Sequence, residues 1–376
     1  MSCQSGHEVN VPYLDISTQT RLIRPALDQA IGDVLDSGSF VLGPHVTAFE
    51  HEFGSALGGI GAVACNSGTS ALHLILKALG IGPGDEVVTV SMTFAATVAA
   101  VLYTGATPVV VDIDPDSWTM DPEQLRGAIS AKTRAVIPVH LHGRIADMAS
   151  ICDIADAAGV PVIEDAAQAH LAHRGDQYAG SFGLAAAFSF YPGKNLGALG
   201  EGGAVVSRDA QLLKDVARLR DWGTDYKYDH QTLGFNYRMD GIQGAVLSVK
   251  LGFLSEWTHE RVRKAIVYED LRSKPGLSLP MLDTTGGHSY HVYSILVRDP
   301  ERLGEELARL GISTGRHYPV PVHLQQAYRG AVQPIGDLRR TVEFARSCLS
   351  LPLYPELSDP QQEYVIKQLD HLLGAQ

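Results

Sequence analysis

The chain is poor in the features that mark several protein classes. It has only four cysteines, Cys3, Cys65, Cys152 and Cys348. Their wide spacing supplies neither a CxxC metal pair nor the framework of a disulfide-stapled secreted domain. Charged residues make up 19% of the chain and form no long block of like sign, which excludes a disordered polyelectrolyte. The formal net charge of −12 argues against a broad nucleic-acid-binding face. Backbone N–H groups and a few arginines can still bind a small anion. No apolar run reaches membrane length, and Glu8 and Asn10 interrupt any leader-like stretch. The expected setting is therefore a reducing, soluble, cytoplasmic one, with no nucleic-acid or membrane partner. The glycines do not form GxGxxG, the dinucleotide-binding fingerprint. What is present is 376 residues, 45% of them hydrophobic, enough to bury a large core and to form two domains.

From residue 61 onward, short apolar runs alternate with helical patterns. Strands are expected at 61–65, 86–90, 107–112, 135–140, 160–164, 185–190 and 203–206. Helices are expected at 66–79, 94–103, 122–129, 147–158 and 210–219. That order predicts an α/β fold with a mostly parallel central sheet covered by helices on both faces. Two helices, 239–254 and 260–271, are expected next, with a polar break between them. The chain is expected to pass there from a large domain (1–255, with an N-terminal arm) to a smaller α+β domain (256–376). In the latter the pattern predicts a strand at 290–297 and helices at 301–310, 341–349 and 360–373.

The chemistry concentrates in a few places. Lys194 follows the apolar run Phe188-Ser189-Phe190 through Tyr191-Pro192-Gly193, with Gly197, Gly200, Gly202 and Gly203 just beyond. A lysine can form a Schiff base with the aldehyde of pyridoxal phosphate. That cofactor also needs an acid near its ring nitrogen and donors around its phosphate. Asp165, after the expected strand 160–164, is the candidate acid, and Gln168 is near enough to meet the ring oxygen. Gly68-Thr69-Ser70 opens a helix whose free N–H groups suit a phosphate. Ser189 adds a hydroxyl, and Phe94 is a candidate cover for the ring. Taken singly, each residue has a plainer reading. Asp165 and Gly68-Thr69-Ser70 can cap helices, Phe94 can be core, Gln168 and Ser189 can be turn or packing residues, and a lone lysine after a strand is commonly a solvated charge. His140, His142, Asp165 and His170 form the one metal alternative. His140 and His142 would share a strand side, but no compact ligand spacing supports them.

The ordered set of motifs resembles the DegT/DnrJ/EryC1/StrS aminotransferase family. The matching landmarks are Gly38-Ser39-Phe40-Val41-Leu42-Gly43-Pro44, Asn66-Ser67-Gly68-Thr69-Ser70-Ala71-Leu72, Glu164-Asp165-Ala166-Ala167-Gln168-Ala169-His170, the stretch 188–203, and Leu233-Gly234-Phe235-Asn236-Tyr237-Arg238-Met239-Asp240. The resemblance runs from about Val11 to Leu373. It implies the fold type I (aspartate-aminotransferase-like) architecture and a homodimer with shared active sites. It implies pyridoxal 5'-phosphate held as an internal aldimine at Lys194, with pyridoxamine 5'-phosphate as an intermediate. Asp165 pairs with the ring nitrogen, Gln168 approaches the ring oxygen, Phe94 stacks on the ring, and Gly68, Thr69 and Ser189 hold the phosphate. Asn236 reaches the phosphate from the second subunit. Arg238, beside it, reads either as a partner-facing anion contact or as a surface salt bridge. Tyr318 and His323 are the implied substrate contacts; Arg316, in the same segment, is a candidate contact for a carboxylate or phosphate whose plainer reading is a solvated surface charge.

The implied reaction moves an amino group from glutamate or glutamine to a nucleotide-linked keto sugar. Tyr191, where the 4-keto branch more often carries histidine, favours a dTDP- or UDP-3-keto-6-deoxyhexose. A keto-cyclitol and a non-catalytic, cofactor-binding regulator are the alternatives. The chain departs from the family pattern at Leu171-Ala172-His173-Arg174, at Leu184, and at Gly241 and Gly244, which stand where Glu and Ala are more typical. These departures bear on pocket shape and substrate subclass.

Overall fold

A computed structural model describes residues 10–374. Seven strands form the central sheet: β1 (Gly61–Cys65), β2 (Glu86–Val90), β3 (Thr107–Val111), β4 (Thr133–Ile137), β5 (Ile163–Asp165), β6 (Ala185–Ser189) and β7 (Gly203–Ser207). Their order is β1-β7-β6-β5 and then β4-β2-β3, with Gln333–Pro334 added at the β3 edge. The two halves meet through parallel bridges Val136–Val162 and Val139–Asp165. Only β7 runs antiparallel to its neighbours. The rest of the sheet is parallel, as expected.

Period-2 alternation divides the buried strand residues between two faces. On β6, Ala186 and Phe188 join one core with Phe49, Phe53, Ile151 and Leu254. Ala185 and Ala187 join the other, with Leu72, Ile75, Val101 and Val216. The strands therefore read as continuous apolar runs because both faces are covered. Strand ends moved relative to expectation. β4 begins at Thr133 and stops at Ile137, so His140 and His142 lie past its end, at and within the turn Leu141–Gly143. β5 is only three residues long.

The helix pair expected across 239–271 is one 27-residue helix, Gly241–Val267, followed by the 3-10 turn Tyr268–Leu271. The polar stretch Ser255-Glu256-Trp257-Thr258-His259 contains neither proline nor glycine. Trp257 is buried within it and stacks on Phe253, so polar residues on the open side do not interrupt the helix. The expected 255/256 boundary falls inside this helix. At one end, buried Lys250 donates to the Gly197 carbonyl at 2.6 Å. Towards the other, Arg261 donates to the Tyr290 and Leu353 carbonyls and Lys264 to that of Leu357.

The C-terminal part builds its own core around an antiparallel sheet of β8 (Leu277–Ser278), β9 (Tyr293–Val297) and β10 (Cys348–Leu351). β10 is a correction: the helix expected to 349 ends at Ser347. The following Cys348-Leu349-Ser350-Leu351 pairs with β9 before Pro352. Val11 sits in this second core, bridged to Ile312. Helices Ile16–Leu22, Arg24–Ser37 and Pro44–Ala56, not assigned from the sequence pattern, lead back to the large sheet. Among the described residues no helix is long and apolar enough to cross a membrane.

Gly244 packs the long helix against Pro44–Ala56. A Cβ there would lie 2.9 Å from both N and Cα of Val46. Gly244→Ala, although it restores the residue more typical of the family, is expected to cost about 1–3 kcal/mol by overpacking. The measurement is the urea midpoint at unchanged m value. A midpoint at or above the parent's would show that the two helices separate freely.

Candidate active site

The C-terminal ends of β1, β2, β4, β5 and β6 open into one cavity of about 590 Å³. This is the edge at which ligands meet parallel α/β sheets. Asp165 ends β5 with its side chain in the cavity wall. Its Oδ2 accepts a 2.7 Å hydrogen bond from Thr97 Oγ1, which is itself 2.7 Å from Thr93 Oγ1. Its Oδ1 accepts from the Ala167 N–H at 3.2 Å. Burial raises the Asp165 pKa, and the Thr97 and Ala167 bonds and the Lys194 charge oppose that rise.

Lys194 sits in the turn between β6 and β7, its backbone N–H donating to the Tyr191 carbonyl at 2.8 Å. Burial lowers its pKa to about 8 against the pull of Asp165. Its amine is therefore far easier to free of its proton than an ordinary lysine's.

The helix Gly68–Ala78 starts at the cavity. Ser67 caps it, accepting from the Ser70 N–H at 3.1 Å. Its first turn, with Gly68 and Thr69, lines the cavity opposite Ser189. A Cβ on Gly68 would stand 2.7 Å from Ser189 Cβ, so only glycine lets the helix terminus and β6 come this close. Hydroxyls and free N–H groups around a helix N-terminus suit a phosphate dianion. Together with a buried acid and a lysine of lowered pKa, this cradle fits pyridoxal phosphate.

Gln168 and Phe94 also line the cavity. Gln168 Oε1 accepts from the His142 N–H at 2.6 Å, and its Nε2 donates to the Tyr318 hydroxyl at 3.1 Å. Phe94, 57% exposed, lies 5.8 Å from the Tyr318 ring. The cavity thus gathers Lys194, Asp165, Gly68, Thr69, Phe94, Gln168, Ser189 and Tyr318.

Three expected residues lie elsewhere. His323 Nδ1 is 2.5 Å from Ser91 Oγ, outside the lining. Arg316 donates to the Cys348, Ala345 and Arg346 carbonyls and pairs with Glu301 at 3.0 Å, capping the helix Arg339–Ser347. Asn236 is exposed and bridged to Asp221, which also holds Arg238 at 3.0 Å. Among the described residues no group of side chains could hold a metal ion. His140 turns to Glu164 and His142 to the His317 carbonyl.

The cavity also contains residues that pattern reading missed: Tyr13 and Leu14 from the N-terminal segment, Glu201, His291 and His317. Thr97 was missed behind Asp165. Burial pushes His317 down to about 4 and His291 well below its usual value, so both are neutral near pH 7. None had a local signal, because each reaches the site only through tertiary folding.

Residues 22–370 match the family model of the DegT/DnrJ/EryC1/StrS aminotransferases. The chain is 44% identical to a Streptomyces venezuelae dTDP-3-amino-3,4,6-trideoxy-alpha-D-glucose transaminase, over 95% of this chain and 94% of that protein. It is 39% identical to a UDP-N-acetyl-3-dehydro-alpha-D-glucosamine 3-aminotransferase of Acidithiobacillus ferrooxidans, over 93% and 95% of the two chains. The crystal structure of S. venezuelae DesV in complex with a ketimine intermediate superposes with a TM-score of 0.94 at 44% identity, covering 97% of this chain and 98% of that one. Bacillus subtilis NtdA with bound pyridoxamine phosphate matches with a TM-score of 0.89 at 31% identity, covering 99% and 87%. The architecture is fold type I, and the cofactor is the pyridoxal/pyridoxamine phosphate pair. The sheet order, the lysine–aspartate cavity and these likenesses agree, and the chain belongs to the DegT/DnrJ/EryC1/StrS family of pyridoxal-phosphate-dependent aminotransferases.

Proposed function

We propose that this protein transfers an amino group from glutamate or glutamine to a nucleotide-linked keto sugar, a dTDP- or UDP-3-keto-6-deoxyhexose, in amino-sugar biosynthesis. The observation that carries the chemistry is the convergence of Lys194, Asp165 and the Gly68–Thr69–Ser189 cradle on one cavity. The substrate class is supported by the 3-amino and 3-dehydro sugar nucleotides in the names of two relatives, and by Tyr191 in the lining. Free thiols at Cys65, Cys152 and Cys348 suit the reducing cytoplasm.

Bound pyridoxal phosphate supplies a ring that can hold the electron pair left by a departing proton. The chain's residues do the rest. The helix terminus at Gly68–Thr69 and Ser189 hold the phosphate. Asp165, both oxygens fixed by Thr97 and Ala167, presents negative charge to the ring nitrogen. Lys194 Nζ, a base near neutral pH, takes the proton from the donor's α-carbon and returns one in the second half-reaction. Tyr318 contacts the substrate, with Gln168 holding its hydroxyl. Arg316 and His323 keep the 316–323 segment in place.

The same reading makes the active sites shared between two subunits, with Asn236 serving the partner's phosphate. Exposed Phe40, Val41, Leu199 and Leu233 support such an interface, Leu233 being 93% exposed. Lys194 is also the only lysine or arginine among the described residues lining the cavity. An anionic sugar nucleotide therefore needs cations from beyond it.

The direct test is an amination screen with glutamate and glutamine across nucleotide keto sugars and keto-cyclitols, reading product mass and regiochemistry. The expected product is a 3-amino sugar nucleotide. Lys194→Ala should give none, and borohydride should fix the cofactor on the Lys194 peptide of the parent. Cofactor capture without any aminated product would instead mark a binding protein. The lowered Lys194 pKa sets a pH dependence. Its amine is free above about 8, so covalent capture of pyridoxal phosphate by apo-protein should quicken with rising pH through that value. A midpoint near 10.5, the ordinary lysine value, would refute the desolvated lysine. Mixing inactive Lys194→Ala and Asn236→Ala subunits should restore up to about a quarter of the parent activity, since a random mixture forms hybrids with one intact site. No recovery in demonstrably mixed dimers would rule out the shared site.

A further inference from the structure

Glu164, next to Asp165 on β5, sends its side chain to the opposite face of the strand. It is completely buried and outside the cavity lining. Four donors converge on its carboxylate. Oε1 accepts from the Phe182 and Gly183 N–H groups at 2.8 Å each. Oε2 accepts from the Gly180 N–H at 2.7 Å and from His140 Nε2 at 2.8 Å. The His140 ring is equally determined. Its Nδ1 accepts from the Ala146 N–H at 3.2 Å, so the ring proton lies on Nε2, facing the carboxylate.

This fixture adjoins Asp165 through the backbone. The His140 N–H donates to the Asp165 carbonyl at 3.0 Å, and the Asp165 N–H to the Pro138 carbonyl at 2.9 Å. β5 needs such support. It makes a three-residue ladder with β6 and only isolated bridges towards β4.

We propose that Glu164, acting with His140, is the positioning residue for Asp165: it binds the 180–183 turn and the His140 ring into one fixture and so sets the direction in which the Asp165 carboxylate meets the cofactor's ring nitrogen. The inference rests on the cofactor role given to Asp165 above. Glu164→Gln tests it sharply. The amide NH₂ would have to face an N–H donor whichever way it turned, since both oxygens of Glu164 already meet donors. No placement of protons satisfies that arrangement.

The experiment compares purified holoenzymes: parent, Glu164→Gln, Asp165→Asn and the double variant. Each is read by kcat, by KM for the amino donor and by the position and pH dependence of the visible cofactor band. Glu164→Gln should lower kcat by about 10–100-fold, the range met when the hydrogen-bonded outer partner of a metal-binding residue is lost. KM should stay unchanged, and the band should move in the same direction as in Asp165→Asn. The double variant should be no slower than Asp165→Asn alone, because the two act as a unit. Multiplying losses, or a lower melting temperature with kcat and band unchanged, would overturn the inference. If Asp165→Asn itself leaves kcat and the band untouched, the cofactor reading fails instead. Should Glu164→Gln not fold, His140 decides. His140→Gln, which keeps a donor and an acceptor, should retain the parent band, and His140→Leu should shift it. Equal behaviour of those two would overturn the proposal.

Discussion

Burial drives Asp165 and Lys194 each towards its neutral form, and the charge of each opposes the shift in the other. That opposition is the constraint around which the cavity is organised. An isolated carboxylate or ammonium taken out of water simply changes protonation state. Here the carboxylate keeps two hydrogen-bond donors, Thr97 and Ala167. A cofactor with a basic ring nitrogen at one end and an aldehyde at the other would satisfy both groups. The acid would gain a cationic partner, and the amine a bond that does not depend on its charge.

Such an arrangement requires rigid neighbours, and the long helix Gly241–Val267 supplies much of that rigidity. Its buried cations end on backbone carbonyls of other segments. Lys250 holds Gly197, just after the lysine turn, while Arg261 and Lys264 hold Tyr290, Leu353 and Leu357. The two cores are thereby referred to one axis. His291 from the C-terminal part and Tyr13 from the N-terminal segment then reach the same cavity. Breaking one of these buried contacts leaves a charge without a partner, which is costlier than losing the bond alone.

Much of the site was legible because its parts are local. Gly68-Thr69 opens a helix and Lys194 follows a strand, as pattern and turn chemistry predict, while Asp165, expected just after a strand, is the strand's last residue. The same locality made the sheet readable, since apolar runs bounded by turn residues are strands wherever both faces are covered. What was hidden is tertiary. Thr97 looks like any helix residue until the β5 end is placed beside it. Arg316, readable as an anion contact, is taken up by the end of a helix some thirty residues on. Cys348 and Leu349 continue a helical pattern in the sequence, and only β9 alongside draws Cys348–Leu351 into a sheet. The polar stretch at 255–259 looks like a break, and only the burial of Trp257 shows why the helix runs on.

The departures from the family pattern fall at three separate places in the fold, all away from the cavity. None of Leu171–Arg174, Leu184, Gly241 or Gly244 lines the cavity. Arg174 donates to Asp283 Oδ2 at 2.7 Å, joined by buried Arg144, where the β-hairpin beginning at His173 meets the 281–288 segment of the C-terminal part. A Cβ on Gly287 would meet the Arg174 guanidinium, which would have to shift to admit a side chain. Leu184 packs into the second face of the sheet. Gly241 and Gly244 draw the long helix against Ser39 and Val46. Arg174, Gly241 and Gly244 therefore bear on how closely neighbouring segments approach, Leu184 bears on the packing of the sheet, and Lys194 and Asp165 are untouched. The cavity lining itself, Tyr191 and Tyr318 included, contains none of the exchanged residues, so any effect they have on the pocket must be carried to it through the packing of the segments behind its walls.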